Sequence, residues 1–421
     1  MGKTAVLDAP TLAWARGTFA EYYRTASVSA PDRLARREFA AFPFAGETVM
    51  RRHATLPTPG DLSAFLARES PRHVYYSSAY YRRPAEPTMA AKEWLGADLI
   101  FDLDSDHLRG AEALDYPAQL ELVKRRLVRL VDDFLFADFG VDPASTEIVF
   151  SGGRGYHVHV REDRFLPLTS PERRELVDYV IGTGVDAMRA VRVSRAGEAV
   201  AADDGASMGE DGGVRARRTA RGTRSLVPTD APGWAGRTTR AILEVLRRWE
   251  TQGKGEAERE MVGFGIPAKK AKQWARLLVD DHGAERIRRS LSLDVFPRDL
   301  PDELLEAIVR GAAIEVQGET DAPVTTDIHR LIRLPGSLHG GTGFRVVPLG
   351  RDRVDAFDPF CDALIASPNG ATTRVAFTAD VSYPFPGGGV RGRTGAVDEV
   401  PTPVALFLLL RQEAELPPSP T

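Results

Sequence analysis

The strongest constraint on the fold is one short segment, LIFDLDSDHL, which runs from Leu99 to Leu108. It begins with apolar residues, as a buried strand does, but carboxylates follow at Asp102, Asp104 and Asp106. Charged groups without partners are costly to bury. The fold must therefore give the end of this strand an environment that stabilises acidic side chains.

The segment has two interpretations. Residues two apart on a strand point to the same face, so Asp102 and Asp104 project together while Phe101 and Leu103 face the other side. Neighbouring carboxylates repel each other unless a cation lies between them, and hard cations such as Mg²⁺ or Mn²⁺ prefer oxygen ligands. The alternative is a solvated turn in which Asp106 caps the next helix. This motif by itself leaves both interpretations open.

A glycine-rich turn carries the second motif, SGGRGYHVHV, which spans residues 151–160. Glycines expose backbone N–H groups to an anion, and Arg154 adds a bidentate phosphate donor. His157 and His159 share one face of the outgoing strand, opposite Tyr156. A tight hairpin with half-exposed histidines is the alternative. Glycines on both sides of an arginine exceed what a hairpin needs, which favours an anion-binding turn.

The third motif, TDAPVTTDIHRLIRLPGSLHGGTG, spans residues 320–343 and combines acids with cations. Its apolar residues can be buried while its polar residues face outward, and Asp321 could supply another metal carboxylate. A basic surface segment is the alternative for this stretch taken alone. Its polar members are Asp321, Asp327, His329, Arg330, Arg333 and His339.

Composition narrows the function classes. The 421-residue chain has a net charge of −4, so it shows no global attraction to polyanions, and its arginines cluster locally. It has a single cysteine, which excludes an intramolecular disulfide framework and fits a cytoplasmic location. The sequence has no Walker A, HExxH or CxxC motif and no signal peptide. The longest apolar run, residues 404–410, is too short to cross a membrane.

The pattern along the chain predicts a mixed α and β core that is interrupted by helices. Strand-like segments surround an amphipathic helix over residues 116–139, and helical patterns dominate from Ser170 to about Gly311. Residues 195–224 lack an apolar period and are predicted to form a mobile loop. The predicted organisation is a catalytic core over residues 1–165, a helical insertion over 166–314 with its loop near 195–225, a second core part over 315–400, and a C-terminal helix and tail over 401–421.

Three motifs in this order resemble a known family. DLIFDLD, SGGRGYHVHV and HRLIRLPGSLHGGTG resemble the catalytic small subunit of archaeal and eukaryotic DNA primases, and RLIRLPGSLHG is of the archaeal type. The resemblance implies an α+β primase fold with a mixed β-sheet catalytic core and a helical insertion. It also implies a DNA-directed nucleotidyltransferase that makes short primers on single-stranded DNA from NTPs or dNTPs. Its implied partner is a primase large subunit, in a heterodimer.

The resemblance also implies roles for individual residues. It places two Mg²⁺ or Mn²⁺ ions at the carboxylates and the triphosphate at the cations. The implied catalytic and metal-binding residues are Asp102, Asp104 and Asp321; the implied triphosphate-binding residues are Ser151, Arg154, His157, Arg333 and His339; Glu38 and Arg52 match positions used in primer initiation, with a short gap.

The chain departs from the family pattern at one point. Many members carry a Cys/His zinc knuckle after the acidic strand, but SDHLRGAEALDYPAQLELVK contains no cysteine. We therefore expect no structural zinc.

Two other functions remain open at this stage. One is a repair or plasmid-type primase-polymerase of the same superfamily, which a chain of 421 residues without a fused helicase or ligase domain disfavours. The other is a non-catalytic nucleic-acid-binding subunit. Clustered carboxylates argue against that function because they repel phosphate.

Overall fold

The structure is a computed structural model that describes residues 7–44, 49–108, 110–194, 223–294, 302–367 and 370–417. The helices in these residues are α1 (Ala9–Thr25), α2 (Pro59–Glu69), α3 (Met89–Lys92), α4 (Tyr116–Arg129), α5 (Ser170–Ile181), α6 (Gly233–Gln252), α7 (Lys254–Gly263), α8 (Ala268–Ala275), α9 (Gly283–Ser290), α10 (Asp302–Glu315), α11 (Ala322–Thr326), α12 (Arg351–Val354), α13 (Pro359–Asp362) and α14 (Thr402–Leu410).

The strands of the described residues alternate with these helices along the chain. They are β1 (Phe39–Phe42), β2 (Arg51–Ala54), β3 (His73–Ser77), β4 (Ala79–Tyr81), β5 (Trp94–Ala97), β6 (Leu99–Asp104), β7 (Thr146–Phe150), β8 (Gly155–Val160), β9 (Val191–Ser194), β10 (Thr223–Leu226), β11 (Leu331–Arg333), β12 (Val347–Leu349), β13 (Thr372–Phe377), β14 (Val381–Tyr383), β15 (Val390–Gly392), β16 (Val397–Pro401) and β17 (Ala414–Glu415).

The chain divides into two compact units. Unit 1 comprises Met1–Ile181 and Gly318–Thr421, and unit 2 comprises Gly182–Gln317. The N–H of Gly318 donates a hydrogen bond of 2.9 Å to the carbonyl of Val180, so the chain leaves unit 1 and re-enters it at one place. Helix α5, which the sequence analysis assigned to the insertion, belongs to unit 1.

One four-stranded sheet of unit 1 has the order β12-β7-β8-β6. In β6 the apolar residues are buried and alternate at the strand end with the half-buried Asp102 and Asp104. Antiparallel pairing of β6 with β8 places Asp102 opposite His157 and Asp104 opposite Gly155. A Cβ at Gly155 would overlap the carbonyl oxygen of Leu103, so this close approach of the two strands requires glycine.

A second four-stranded sheet of unit 1 has the order β11-β3-β1-β2. Strand β11 pairs antiparallel with β3 and places Arg333 opposite Tyr75. Every pairing between the described strands is antiparallel, whereas the resemblance implied a mixed sheet. Pairing of β11 with β3 brings the segment after residue 330 beside residues near the start of the chain.

Each unit has its own apolar core. In unit 1, Phe19 of α1, Ile100 of β6 and Leu406 of α14 belong to one cluster of buried side chains. In unit 2, Trp249 and Val245 of α6 lie fully buried in a separate cluster that also takes side chains from α7 to α10. Burying a large apolar side chain stabilises a fold by roughly 1.5–3 kcal/mol.

Several predicted boundaries change in the structure. The helix predicted over residues 116–139 is α-helical to Arg129 and continues in wider π-type turns over Leu130–Phe136. The C-terminal helix ends at Leu410, and the short strand β17 follows. Of the predicted mobile loop, residues 195–222 lie outside the described residues, whereas Thr223 and Arg224 begin β10. Within the described part of the chain, the helices lack the combined length and apolarity that a membrane span requires.

Candidate active site

A polar cleft of about 670 Å³ opens in unit 1 where β6, the glycine-rich turn and β11 meet. It gathers acids, arginines and histidines from all three sequence motifs. The residues that line it and were predicted from the sequence are Asp102, Asp104, Ser151, Arg154, His157, Arg333 and His339.

The carboxylates form the acidic part of the cleft. Burial raises the pKa of Asp102 to about 7, and repulsion from Asp104 and Asp321 adds to this effect while Arg330 and Arg333 oppose it. The three carboxylates are therefore close enough to influence one another. Among the described residues, however, no three His, Cys, Asp or Glu side chains converge tightly enough to hold one ion in this conformation.

Backbone hydrogen bonding brings Asp321 to the acidic strand. The N–H of Asp321 donates to the carbonyl of Asp102 at 2.8 Å, and the hydroxyl of Thr320 donates to the same oxygen at 3.3 Å. Asp321 then occupies the position before helix α11, and Oδ2 lies 3.9 Å from Nε2 of His107. The third motif is thus joined to the first by main-chain geometry.

His157 faces Asp102 across the β6–β8 pair. Its Nε2 lies 3.4 Å from Oδ1 of Asp102, and its side chain is buried. Burial, with the charges of Arg333 and Arg330, lowers the pKa of His157 to about 3. The ring is therefore neutral at pH 7 and can hydrogen-bond a ligand without adding positive charge.

The glycine-rich turn packs onto His339. Gly152 has a φ of +75°, and a Cβ there would lie 2.7 Å from the Cβ of His339, so this tight approach requires glycine. The hydroxyl oxygen of Ser151 accepts the N–H of Gly153 at 3.3 Å. This geometry places backbone N–H groups beside a histidine, as an anion-binding turn requires.

Arg154 is held by two carboxylates at the mouth of the cleft. Its Nε lies 3.6 Å from Oδ1 of Asp104, and Nη2 forms an ion pair with Asp106. The sequence offers Asp106 as a residue of a solvated turn that caps the next helix, and it lies in the short 3-10 turn after β6, outside the cleft lining. In the structure Asp104 is the cap, accepting the N–H of Asp106 at 3.2 Å, and Asp106 orients Arg154.

Sequence reasoning missed His73 at the start of β3. Its Nδ1 lies 2.6 Å from Nη1 of Arg333, and its ring meets that of His339 edge-on at 5.2 Å. Burial and the charges of Arg333 and Arg72 lower the pKa of His73 well below its ordinary value. The neutral ring can therefore accept a hydrogen bond from the guanidinium of Arg333. The sequence around His73, HVYYSSAYY, predicts a strand. It does not show that this strand lies beside the third motif.

Glu38 and Arg52 are paired with each other and do not line the cleft. Arg52 donates from Nε to Oε1 of Glu38 at 3.0 Å, and the buried Lys92 lies 3.4 Å from Oε2. Burial opposes ionisation, but Arg52 and Lys92 outweigh it and lower the pKa of Glu38. This geometry identifies Glu38 as the anchor of a buried ion pair.

The donor chemistry of the cleft fits divalent cations. Asp102, Asp104 and Asp321 offer hard oxygen ligands, and burial together with repulsion from the other two carboxylates raises the pKa of Asp102. Arginines and neutral histidines line the same cleft as Asp102 and Asp104. An acidic centre framed by such groups is typical of proteins that act on phosphorylated ligands.

Comparison with known proteins narrows this broad class, proteins that act on phosphorylated ligands, to one family. Residues 101–351 match the family described as DNA primase small subunit. The protein named DNA primase small subunit PriS of Methanocella arvoryzae is 40% identical over 417 residues, which cover 97% of this chain and 99% of that protein. Its namesake from Natronomonas pharaonis is 38% identical over 414 residues, covering 96% and 98% of the two chains.

The chain belongs to the DNA primase small-subunit family. A further relative with the same name, from Methanothrix thermoacetophila, is 40% identical over 367 residues, covering 85% of this chain and 88% of its own. The predicted family and α+β fold class are confirmed by these matches and by the mixture of helices and antiparallel sheets.

Proposed function

We propose that this chain is the catalytic subunit of a DNA primase, which synthesises short primers on single-stranded DNA for replication. The reaction is DNA-directed nucleotidyl transfer from NTPs or dNTPs with release of pyrophosphate. The observation that carries the proposal is the single cleft in which Asp102 and Asp104 lie beside Arg154 and Arg333. A pure nucleic-acid binder gains nothing from carboxylates that repel its ligand.

The carboxylates are proposed as the cation ligands. Asp102, Asp104 and Asp321 would hold Mg²⁺ or Mn²⁺, which when bound neutralises phosphate charge and activates an attacking oxygen. Burial of Asp102 excludes water from one side of this centre. The pairing of β6 with β8 keeps both strand carboxylates in a fixed frame. No structural zinc is included in the proposal.

The cationic part of the cleft is proposed as the triphosphate site. The guanidinium of Arg154 and backbone N–H groups of the glycine-rich turn would bind phosphate oxygens, assisted by the hydroxyl of Ser151. Arg333, fixed by His73, would neutralise the charge that accumulates on the leaving pyrophosphate. Neutral His157 and His339 would donate hydrogen bonds without overcharging the site.

The proposed reaction is an in-line displacement. The 3′-hydroxyl of the growing strand would attack the α-phosphate in line, and pyrophosphate would leave on the opposite side. Positioning and electrostatic stabilisation supply most of the catalysis in such transfers, so the protein needs no covalent intermediate.

The partner in this proposal is a primase large subunit. The relatives carry the name small subunit, which implies a second subunit for those proteins. We expect a stable heterodimer, acting in the cytoplasm where template and nucleotides are present. Co-expression followed by size-exclusion chromatography tests the association, and recovery of two separate monomers would argue against it.

The central experiment is de novo synthesis on a single-stranded template with labelled rNTPs or dNTPs, with and without the partner. Asp102→Asn and Asp104→Asn should each reduce synthesis by more than about 100-fold because each removes a carboxylate from the proposed cation site. Binding of template should persist. The control is Asp355→Asn, which removes a carboxylate that pairs with Arg351 elsewhere in unit 1.

Each alternative function predicts a different result of this experiment. Unchanged synthesis in both aspartate variants would refute the proposed catalytic role. A wild-type protein that binds template but makes no product would identify a non-catalytic binding subunit. Extension of a preformed primer without de novo synthesis, even with the partner present, would favour a repair-type polymerase.

A further inference from the structure

Arg411 extends the cleft from a part of the chain that the family match does not cover. It lies just after α14, whereas the matched residues end at 351. Its side chain lines the same cleft as Asp104 and Arg154 and is 23% exposed. Arg411 lies outside the three sequence motifs.

Aromatic rings hold the Arg411 guanidinium in place. Its central carbon lies 4.4 Å from the ring centre of Tyr116, 5.2 Å from that of Phe407 and 5.7 Å from that of Tyr383. Such contacts orient an arginine and leave its N–H groups available at the edge of the plane. The head group is therefore fixed in position on the cleft wall.

The hydrogen bonds of Arg411 converge on one carboxylate oxygen. Nε lies 3.0 Å and Nη2 lies 2.9 Å from Oε1 of Glu413, and the hydroxyl of Tyr383 donates to the same oxygen at 2.8 Å. Two N–H groups of the guanidinium are therefore directed at this one acceptor. A guanidinium has five N–H donors, so this arrangement leaves donor capacity for a ligand.

Tyr116 connects Arg411 to the glycine-rich turn. Its hydroxyl, at the start of α4, donates a hydrogen bond of 2.6 Å to the carbonyl of Gly153. The ring of Tyr116 therefore contacts the guanidinium on one side, while its hydroxyl supports the turn that contains Arg154 on the other. Arg411 and the turn are parts of one packed assembly.

We propose that Arg411 is a phosphate-binding residue of the cleft, supplied by the C-terminal segment. This proposal rests on the proposed function, and its ligand is a phosphate group, carried by the incoming nucleotide or by the nucleic-acid strand. A fixed guanidinium with donors to spare, on the same cleft as Arg154, can donate charge-assisted hydrogen bonds to phosphate oxygens.

The test measures the binding of nucleotide and the binding of single-stranded DNA separately. Arg411→Gln removes the charge while keeping most of the side-chain length, and Arg411→Lys keeps the charge without the planar fork. The matched control is Arg351→Gln, because Arg351 is also ion-paired, is 24% exposed at its side chain and lies outside the cleft. Fluorescent-nucleotide titration gives the affinity for NTP, and anisotropy of a labelled single strand at several salt concentrations gives the affinity for DNA.

Arg411→Gln should weaken one of the two ligands by about 10- to 100-fold, as expected for a lost charge-assisted hydrogen bond. Arg411→Lys should restore part of that loss, and Arg351→Gln should bind as the wild type does. A weaker NTP affinity assigns the residue to the nucleotide. A weaker strand affinity with a salt slope smaller by about one assigns it to the nucleic acid.

The proposal is overturned if Arg411→Gln remains folded and binds both ligands as Arg351→Gln does. If Arg411→Gln does not fold, Glu413→Gln provides the readout: release of the guanidinium should tighten phosphate binding by about threefold, and unchanged affinity would overturn the proposal. Failure of the proposed function is distinguishable, because wild-type protein would then bind the ligands without making product or bind neither.

Discussion

At the scale of single residues, arginines supply the positive charge of the cleft, and histidines supply neutral hydrogen-bonding groups. Burial and nearby arginines lower the pKa values of His73, His157 and His339 below the ordinary value. These rings therefore contribute donors and acceptors without positive charge, and the charge comes from arginines that stay protonated. These three histidines therefore stay neutral throughout the neutral pH range.

Glu38 provides a residue-scale test that involves pH. Its pKa is lowered in the folded protein, so its ionised form stabilises the fold above the ordinary value of 4.5, and this contribution is lost as pH falls through the lowered pKa. Glu38→Gln should reduce the free energy of unfolding at pH 7 by about 3–5 kcal/mol because it leaves buried Lys92 without its partner. Urea denaturation at pH 7 and pH 3 measures the difference.

The difference between wild type and Glu38→Gln should shrink at pH 3. If Glu38→Gln has the wild-type free energy of unfolding at pH 7, the ion pair does not stabilise the fold. If the variant folds normally but loses only primer initiation, Glu38 acts as the resemblance implied. If Glu38→Gln loses stability together with all activities, Glu38 serves as the anchor of the buried ion pair.

At the scale of secondary structure, the acidic strand functions as a frame for the cleft. Strand β6 holds its carboxylates opposite His157 and Gly155 of β8, and a shift of one residue would turn them to the other face. Register is fixed here by the buried alternation of β6 and by the close backbone approach at Gly155. The position of the carboxylates thus depends on this strand pair.

Gly155→Ala tests that dependence. The added methyl group would overlap the carbonyl of Leu103, so it should push β8 away from β6, reduce stability by about 1–3 kcal/mol and lower kcat by roughly 10- to 100-fold. The control is Gly17→Ala, since a Cβ at Gly17 of α1 meets no neighbour within 4 Å. That substitution should stabilise the helix by about 0.5–1 kcal/mol and leave kcat unchanged.

Thermal denaturation and single-turnover kinetics measure the two effects. Wild-type kcat in Gly155→Ala would show that the carboxylates tolerate movement of β8. The position of the carboxylates would then not depend on the pairing of β6 with β8.

Local periodicity accounts for the elements that could be predicted from the sequence. Alternation in LIFDLD predicts the shared face of Asp102 and Asp104, and the structure has that arrangement. The pairing of His73 with Arg333 could not be predicted, because it depends on the contact of β3 with β11, which are far apart in the chain. The turn position of Asp106 could be predicted from the local sequence, but its ion pair with Arg154 could not, because the two residues lie nearly fifty positions apart.

At the scale of the whole molecule, each unit carries its own core. The helical character of the insertion was visible in the sequence as repeated apolar periods, but its ends were not, because α5 has the same pattern and packs in unit 1. Periodicity reports that a helix buries one face. It does not report which core receives that face.

Separate cores predict separable unfolding. Trp249→Ala, in the core of unit 2, should destabilise that unit by about 3–5 kcal/mol and lower one calorimetric transition. Leu406→Ala, in the core of unit 1, should lower the other transition by about 2–5 kcal/mol. Nucleotide binding should survive the first substitution and weaken in the second. One shared transition that moves equally in both variants would contradict this expectation.

The hydrogen bond from Asp321 to the carbonyl of Asp102 has a consequence for biosynthesis. The two residues are separated by more than two hundred positions, so a ribosome releases the acidic strand long before its third carboxylate. Unit 2 lies between them and can collapse first around its own core, which shortens the flexible tether that must close. A nascent chain that stops before residue 321 would therefore expose an incomplete acidic centre, and catalytic competence would arise late in translation.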